Sequence, residues 1–243
     1  MTREIMVVMR KELKEIGSEG SGGRRGRLTP LVGVAVAGIL FPLNFGTRYV
    51  HTEVMIVMGL MLPVLFVLPI VADTFAGERE RHTLETLLAT RLPDRAILFG
   101  KLGAIVVYAF VLTTLSLAMG LTSVNIANPE ARPLLIGPSL LAGVLIESML
   151  AATLMAAVGL LISLGATTVR QAQQRTSIVL LVPMLIPAVV SKLPETMRGP
   201  LQQMLGAGRL TPMQLVFALL VTLDAIVLYA SMRRFRRSRL TAG

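Results

Sequence analysis

Most of the chemistry that a chain of 243 residues could carry is excluded by the residues this one lacks. With no cysteine, there can be no disulfide framework, thiolate metal site, iron–sulfur cluster or catalytic thiol. The two histidines, His51 and His82, have no second ligand at a metal-binding spacing such as His-Glu-x-x-His, so they read as loop histidines. Nor is there a Gly-x-x-x-x-Gly-Lys-Ser/Thr loop to cradle a phosphate, because Gly100-Lys101-Leu102 lacks both the leading glycine and the hydroxyl. The chain is therefore expected to bind no metal, to hydrolyse no nucleotide itself and to be no enzyme. Two features remain. One is a densely charged stretch, residues 75–102, set between two apolar runs; the other is a pair of lone carboxylates, Glu147 and Asp224, inside apolar runs.

The elements that position these residues are membrane helices. The chain is 53% hydrophobic and only 16% charged, with a mean hydropathy of +0.71, too apolar for a soluble domain of this size. A spanning helix needs about 20 mostly apolar residues, and six stretches qualify: Pro30–Gly46, Val54–Ala72, Ile97–Leu121, Leu140–Ala166, Ile178–Val190 and Met213–Met232. The fifth is the weakest, being short and carrying Pro183 and Pro187. The expected fold is an all-α membrane protein with six transmembrane helices.

Charge sets the orientation. Of the 24 Lys and Arg residues, nineteen lie before span one, after spans two and four, and in the tail, against five in the other loops. By the positive-inside rule both termini and the charged stretch are cytoplasmic. The net charge of +10 is thus mostly topological, and no nucleic-acid partner is expected.

The first sixteen residues mix charge and apolar residues rather than forming a signal peptide. Ile5, Val8, Met9, Leu13 and Ile16 recur at helical spacing while Arg3, Arg10, Lys11 and Lys14 occupy the rest of the surface. That pattern suits an amphipathic helix lying along the inner leaflet in contact with lipid; a frayed, solvated terminus is the alternative. Gly17–Gly26 reads as a flexible linker, so that residues 1–27 form a helix-plus-linker unit ahead of a transmembrane domain at 28–243.

Within the charged stretch, Gly77 permits a sharp bend after span two, Leu84, Leu87 and Leu88 fall at i, i+3 and i+4, and Pro93 stops the helix. The result is a short lateral helix, about residues 76–92. Its charges alternate in sign, so the residues from Glu78 to Arg81, or Glu85, could pair within the helix or across to a partner surface. A solvated inner loop resting its leucines on the membrane is the competing reading.

The run Phe75, Gly77, Glu78, Arg79, Glu80, then Thr83-Leu84-Glu85-Thr86-Leu87-Leu88, Arg95 and Gly100-Lys101 resembles the signature region of ABC-2 type transporter permeases, the membrane subunits of ABC exporters. The resemblance implies that this segment is the coupling helix between spans two and three, with Gly77, Glu78, Arg79, Glu80, Arg81, Thr83, Leu84, Glu85, Leu87 and Leu88 meeting a separate ATPase. ATP and Mg would be bound there and not by this chain. Arg10-Lys11-Glu12-Leu13-Lys14-Glu15-Ile16 is similar to the family's amphipathic connecting helix. The resemblance further implies a second permease chain, as a homodimer or with a close homologue, and a place in a prokaryotic inner membrane. In Pro194–Pro212, Leu201, Met204 and Leu205 stand at helical spacing, which suits a short re-entrant or lip helix that the resemblance also implies; an ordinary external loop is the competing reading.

Glu147 and Asp224 sit near mid-span, where a charge is costly unless it pairs, faces the bundle interior or is protonated. They either line a translocation path or bond to hydroxyls such as Ser148, Thr153, Thr222, Thr113, Thr114 or Ser116. Pro63 and Pro69 in span two are expected to kink it. Small residues at Gly33 and Ala37, Ala152 and Ala156, and Gly159 and Ser163 allow close helix contacts. The alternatives in function are an ATP-independent channel or secondary transporter using the two acids, and a non-transporting membrane scaffold.

Overall fold

The computed structural model describes residues 1–18, 24–83, 92–129, 133–178 and 212–234. Among these residues every element is helical. Helix α1 (Thr2–Ser18) is followed by α2 (Arg24–Ala35), a π-helical turn (Val36–Leu40), α3 (Phe41–Phe45) and a 3-10 turn (Gly46–Val50). Then come α4 (Thr52–Glu80), α5 (Asp94–Ala127), α6 (Pro138–Leu164), α7 (residues 169–178) and α8 (Pro212–Arg234). Residues 24–26, expected in the linker, instead open α2.

Among the described residues, five segments are long and apolar enough to cross a membrane: Pro30–Val50, Thr52–Glu80, Asp94–Ala127, Pro138–Leu164 and Val216–Arg233. These correspond to expected spans one to four and six. The expected fifth span, Ile178–Val190, and the re-entrant helix lie outside the described residues, apart from Ile178 at the end of α7.

Helices α4 and α6 run parallel and form the most extensive helix pair. Their register is constant: Gly59 faces Glu147, Val71 faces Gly159, and the Phe75 amide meets Ser163, in each case 88 residues apart. Small residues permit this closeness, since Ala152, Ala156, Gly159 and Ser163 are all buried on α6. Lipid tails supply little hydrophobic drive between helices, so close packing and internal hydrogen bonds carry the association. The Ser163 hydroxyl accepts from the Phe75 and Ala76 amides and donates to the Ala72 carbonyl, entering the backbone ladder of α4. Span one packs on α5 by the same device. The absent Cβ of Gly120 makes room for the Tyr49 ring and Pro42, and that of Gly38 for Met119.

At 1.5 Å per residue, the 29 residues of α4 reach about 43 Å, beyond a hydrocarbon core of about 30 Å. The last two turns, Asp73–Glu80, therefore project past the apolar layer, and the start of α5 meets them there.

Candidate functional site

Charged side chains on the projecting turns of α4 bind three other parts of the chain and, through one of them, a fourth. Contrary to the expected bend, Gly77 lies inside α4 and continues it, its carbonyl accepting from the Arg81 amide at 2.9 Å. Its missing side chain instead leaves room for those of Asp73 and Arg81, which a Cβ would meet at 2.0 and 2.8 Å. Those two side chains pair at 2.8 Å on the helix surface.

The helix ends one turn later. The Thr83 amide bonds to the Glu78 carbonyl at 2.9 Å and the His82 amide to the Arg79 carbonyl at 3.1 Å, with His82 at φ 55. This is a Schellman turn with histidine in the left-handed position that glycine usually fills. The break therefore falls at a histidine and not at the glycine expected to supply it.

Glu78 does not pair with Arg81 or reach outward. It is buried, and its Oε1 lies 2.8 Å from the Lys101 ammonium of α5. Lys101 is 1% exposed and also lies 2.8 Å from Oε1 of Glu12 on α1. Its Nζ donates further to the Thr74 carbonyl at 3.4 Å and stands 5.4 Å from the centre of the Phe75 ring. An ammonium has three donors, and three acceptors from α1 and α4 surround this one. Glu78 Oε2 is buried with no hydrogen-bond partner among the described residues.

Arg79 and Glu80 bind the other side. The Arg79 guanidinium donates to the carbonyls of Leu164, at 3.1 Å, and Ala166, where α6 ends. A cation there satisfies carbonyls left over at a helix C-terminus and opposes its dipole. Glu80 accepts from the Val169 amide at 3.0 Å, placing a carboxylate at the start of α7. Of the expected coupling residues, Gly77, Glu78, Arg79, Glu80, Arg81 and Thr83 thus form one junction, and Leu84, Glu85, Leu87 and Leu88 lie outside the described residues.

Helix α1 is seated on α5 rather than on lipid alone. Val8 and Glu12 are buried, and Val8 lies over Gly100 so closely that a Cβ there would stand 2.6 Å from it. Met9 lies over Gly103. The stripe read as membrane-facing is therefore at least partly a packing surface, because two glycines on α5 provide a groove for it. Arg10, Lys11 and Lys14 are exposed on the other side, as expected from their spacing. Partial burial works against the Lys11 ammonium, but its hydrogen bond to Glu15 and the fields of Glu12, Glu15 and Glu78 prevail and raise its pKa. Lys101 and Glu12 were missed as site residues. The signal available was Lys101 itself, a cation in an apolar run with glycines at 100 and 103.

Glu147 and Asp224 are 1% and 5% exposed, on α6 and α8, and none of their carboxylate oxygens has a hydrogen-bond partner among the described residues. The hydroxyls expected to satisfy them do not. Ser148, Thr153, Thr222, Thr114 and Ser116 all donate to carbonyls of their own helix, and Thr113 is buried without a partner. A hydroxyl in a helix finds the carbonyl four residues back before it reaches a neighbouring helix.

Residues 44–234 match the family described as "ABC-2 family transporter protein". No curated protein matches the chain.

Proposed function

The chain belongs to the ABC-2 family of transporter proteins, and from that premise we propose that it is the permease subunit of an ATP-driven exporter whose ATP and Mg are held by a separate ABC ATPase. It is an integral membrane protein. In this reading it has six spans, the fifth at Ile178–Val190, with both termini and the charged junction on the cytoplasmic face of a prokaryotic inner membrane. A second permease chain, identical or closely similar, completes the path.

The observation that carries the reading is the use made of the charged stretch. Glu78, Arg79 and Glu80 bind α5, the end of α6 and the start of α7, and Lys101 of α5 carries the link on to Glu12 of α1, so the projecting end of α4 is a braced strut, and the chain leaves its tip at Thr83. A load applied just beyond that tip reaches several elements at once. The ATPase docks on Leu84, Leu87 and Leu88, with Glu85 beside them, while Gly77–Arg81 transmit rather than touch. Purification from the native membrane tests this: the wild-type chain retains an ABC ATPase, and the Leu84→Ser/Leu87→Ser/Leu88→Ser variant loses it. Retention by that variant would overturn the docking assignment.

Glu147 and Asp224 line the path in this proposal, their unpartnered oxygens being available to a polar or cationic part of the cargo. The same two acids are what favours the second reading, an ATP-independent channel or secondary transporter. Cation or proton flux into liposomes holding the purified chain without ATPase or ATP would decide for it.

A further inference from the structure

We propose that Lys101 is the positioning residue that couples α1 to the strut. Its buried ammonium holds Glu12 of α1 and Glu78 of α4 simultaneously, so that α1 follows the end of α4 and the start of α5 when either moves. The source of that movement rests on the ATPase-driven reading above; the tie does not. Glu12 lies outside the matched residues 44–234, so this link belongs to the chain's own N-terminal helix.

The geometry supports a tie in three ways. Both ion pairs are 2.8 Å long and share one ammonium that is 1% exposed, so the departure of either carboxylate takes from a buried cation one of its two charged partners, with no water to replace it. The seat is also shape-specific. Val8 over Gly100 and Met9 over Gly103 fix the register of α1, and a slip of one turn, about 5.4 Å, would carry Glu12 out of reach. Finally, the surplus negative charge is met from α1 itself. Lys11 stands 3.9 Å from Glu12 and 2.9 Å from Glu15, on the exposed side of the helix, so the pair on Lys101 is buttressed without a second buried cation.

A structural role shared evenly by the cluster would make every substitution alike. A tie through one ammonium makes them different, because Glu12→Gln should free α1 alone and Glu78→Gln should loosen the end of α4 alone. The chain has no cysteine, so spin labels can be placed at will on the full-length protein in nanodiscs. The pair Arg10→Cys/Arg95→Cys reads α1 against α5, and Thr83→Cys/Arg95→Cys reads the end of α4 against α5. Each is expected to give one narrow distance. Glu12→Gln should broaden the first and spare the second, Glu78→Gln should do the reverse, and Lys101→Met should broaden both.

Should Lys101→Met not fold, the two glutamine variants carry the test, since each keeps one ion pair. Narrow α1–α5 distances in Glu12→Gln, or equal broadening of both pairs by either glutamine, would overturn the tie. With the co-purified ATPase trapped by vanadate, both distances should shift in the wild type and only the α4 distance in Glu12→Gln. A wild-type complex in which trapping moves neither would refute the ATPase-driven reading and leave the tie standing on its own measurements.

Discussion

Gly159→Ala is a direct test of the seam through which α4 and α6 must move together. A Cβ at position 159 would stand 2.4 and 2.7 Å from the two Cγ methyls of Val71 and 3.1 Å from its Cβ. Carbon atoms sit best at about 3.5–4.0 Å, so the contact demands a displacement of about 1 Å or more. Val71 cannot turn away cheaply, because a β-branched side chain in a helix has one strongly preferred rotamer. The helices must separate, and their constant register passes the separation to Ser163, whose hydroxyl bonds to Ala72, Phe75 and Ala76. Overpacking of this kind costs about 1–3 kcal/mol. Val71→Ala alone removes two buried methyls and costs about 1–2 kcal/mol in lost packing contacts and residual cavity. Together, however, the substitutions remove the worst contacts and leave the 3.1 Å approach to the Cβ, which yields within a few tenths of an ångström. The double variant should therefore be no less stable than Val71→Ala, a coupling of about 1–3 kcal/mol in its favour. Reversible unfolding by SDS in mixed micelles, followed by circular dichroism, gives the four stabilities. Gly159→Ala within about 0.5 kcal/mol of wild type, or simple additivity, would refute the reasoning.

His82→Gly should stabilise the chain by about 1 kcal/mol, because a non-glycine residue at φ 55 carries a left-handed penalty of about 1–2 kcal/mol that chain entropy only partly offsets; a fall in stability in the same SDS titration would count against the Schellman assignment. Asn125 holds residue 134 by both edges of its amide, accepting from the Leu134 amide at 2.7 Å and donating to its carbonyl at 3.0 Å. Asn125→Ala should cost about 1–3 kcal/mol and make the loop between α5 and α6 open to limited proteolysis, where unchanged cleavage would refute the clamp. Glu147→Leu replaces a buried carboxylate without partners by an apolar side chain. It should raise stability by about 1–3 kcal/mol while lowering ATP-dependent transport in vesicles, and full transport by both Glu147→Gln and Asp224→Asn would remove them from the path.

The sequence by itself determined the class of protein and the place to look. Runs of about 20 apolar residues fit a bilayer, and the count of Lys and Arg gave an expected orientation. The motif from Phe75 to Lys101 pointed to a family whose match now covers residues 44–234. These properties are local or additive along the chain, which is why composition and spacing carry them. The partners of the charged residues are neither. Periodicity put Glu78 near Arg81, but the tertiary structure gives it Lys101, because the projecting turns of α4 pass α5 where Gly100 and Gly103 admit α1 and bring Glu12 alongside. It also moved the helix end from Gly77 to His82, since hydrogen bonds closed the last turn where no glycine stood. The two ion pairs of Lys101 join residues 23 and 89 positions apart, whereas the helix end rests on local bonds that the residue types do not announce. Periodicity along a single helix reports neither ion pair, because their partners lie on different helices.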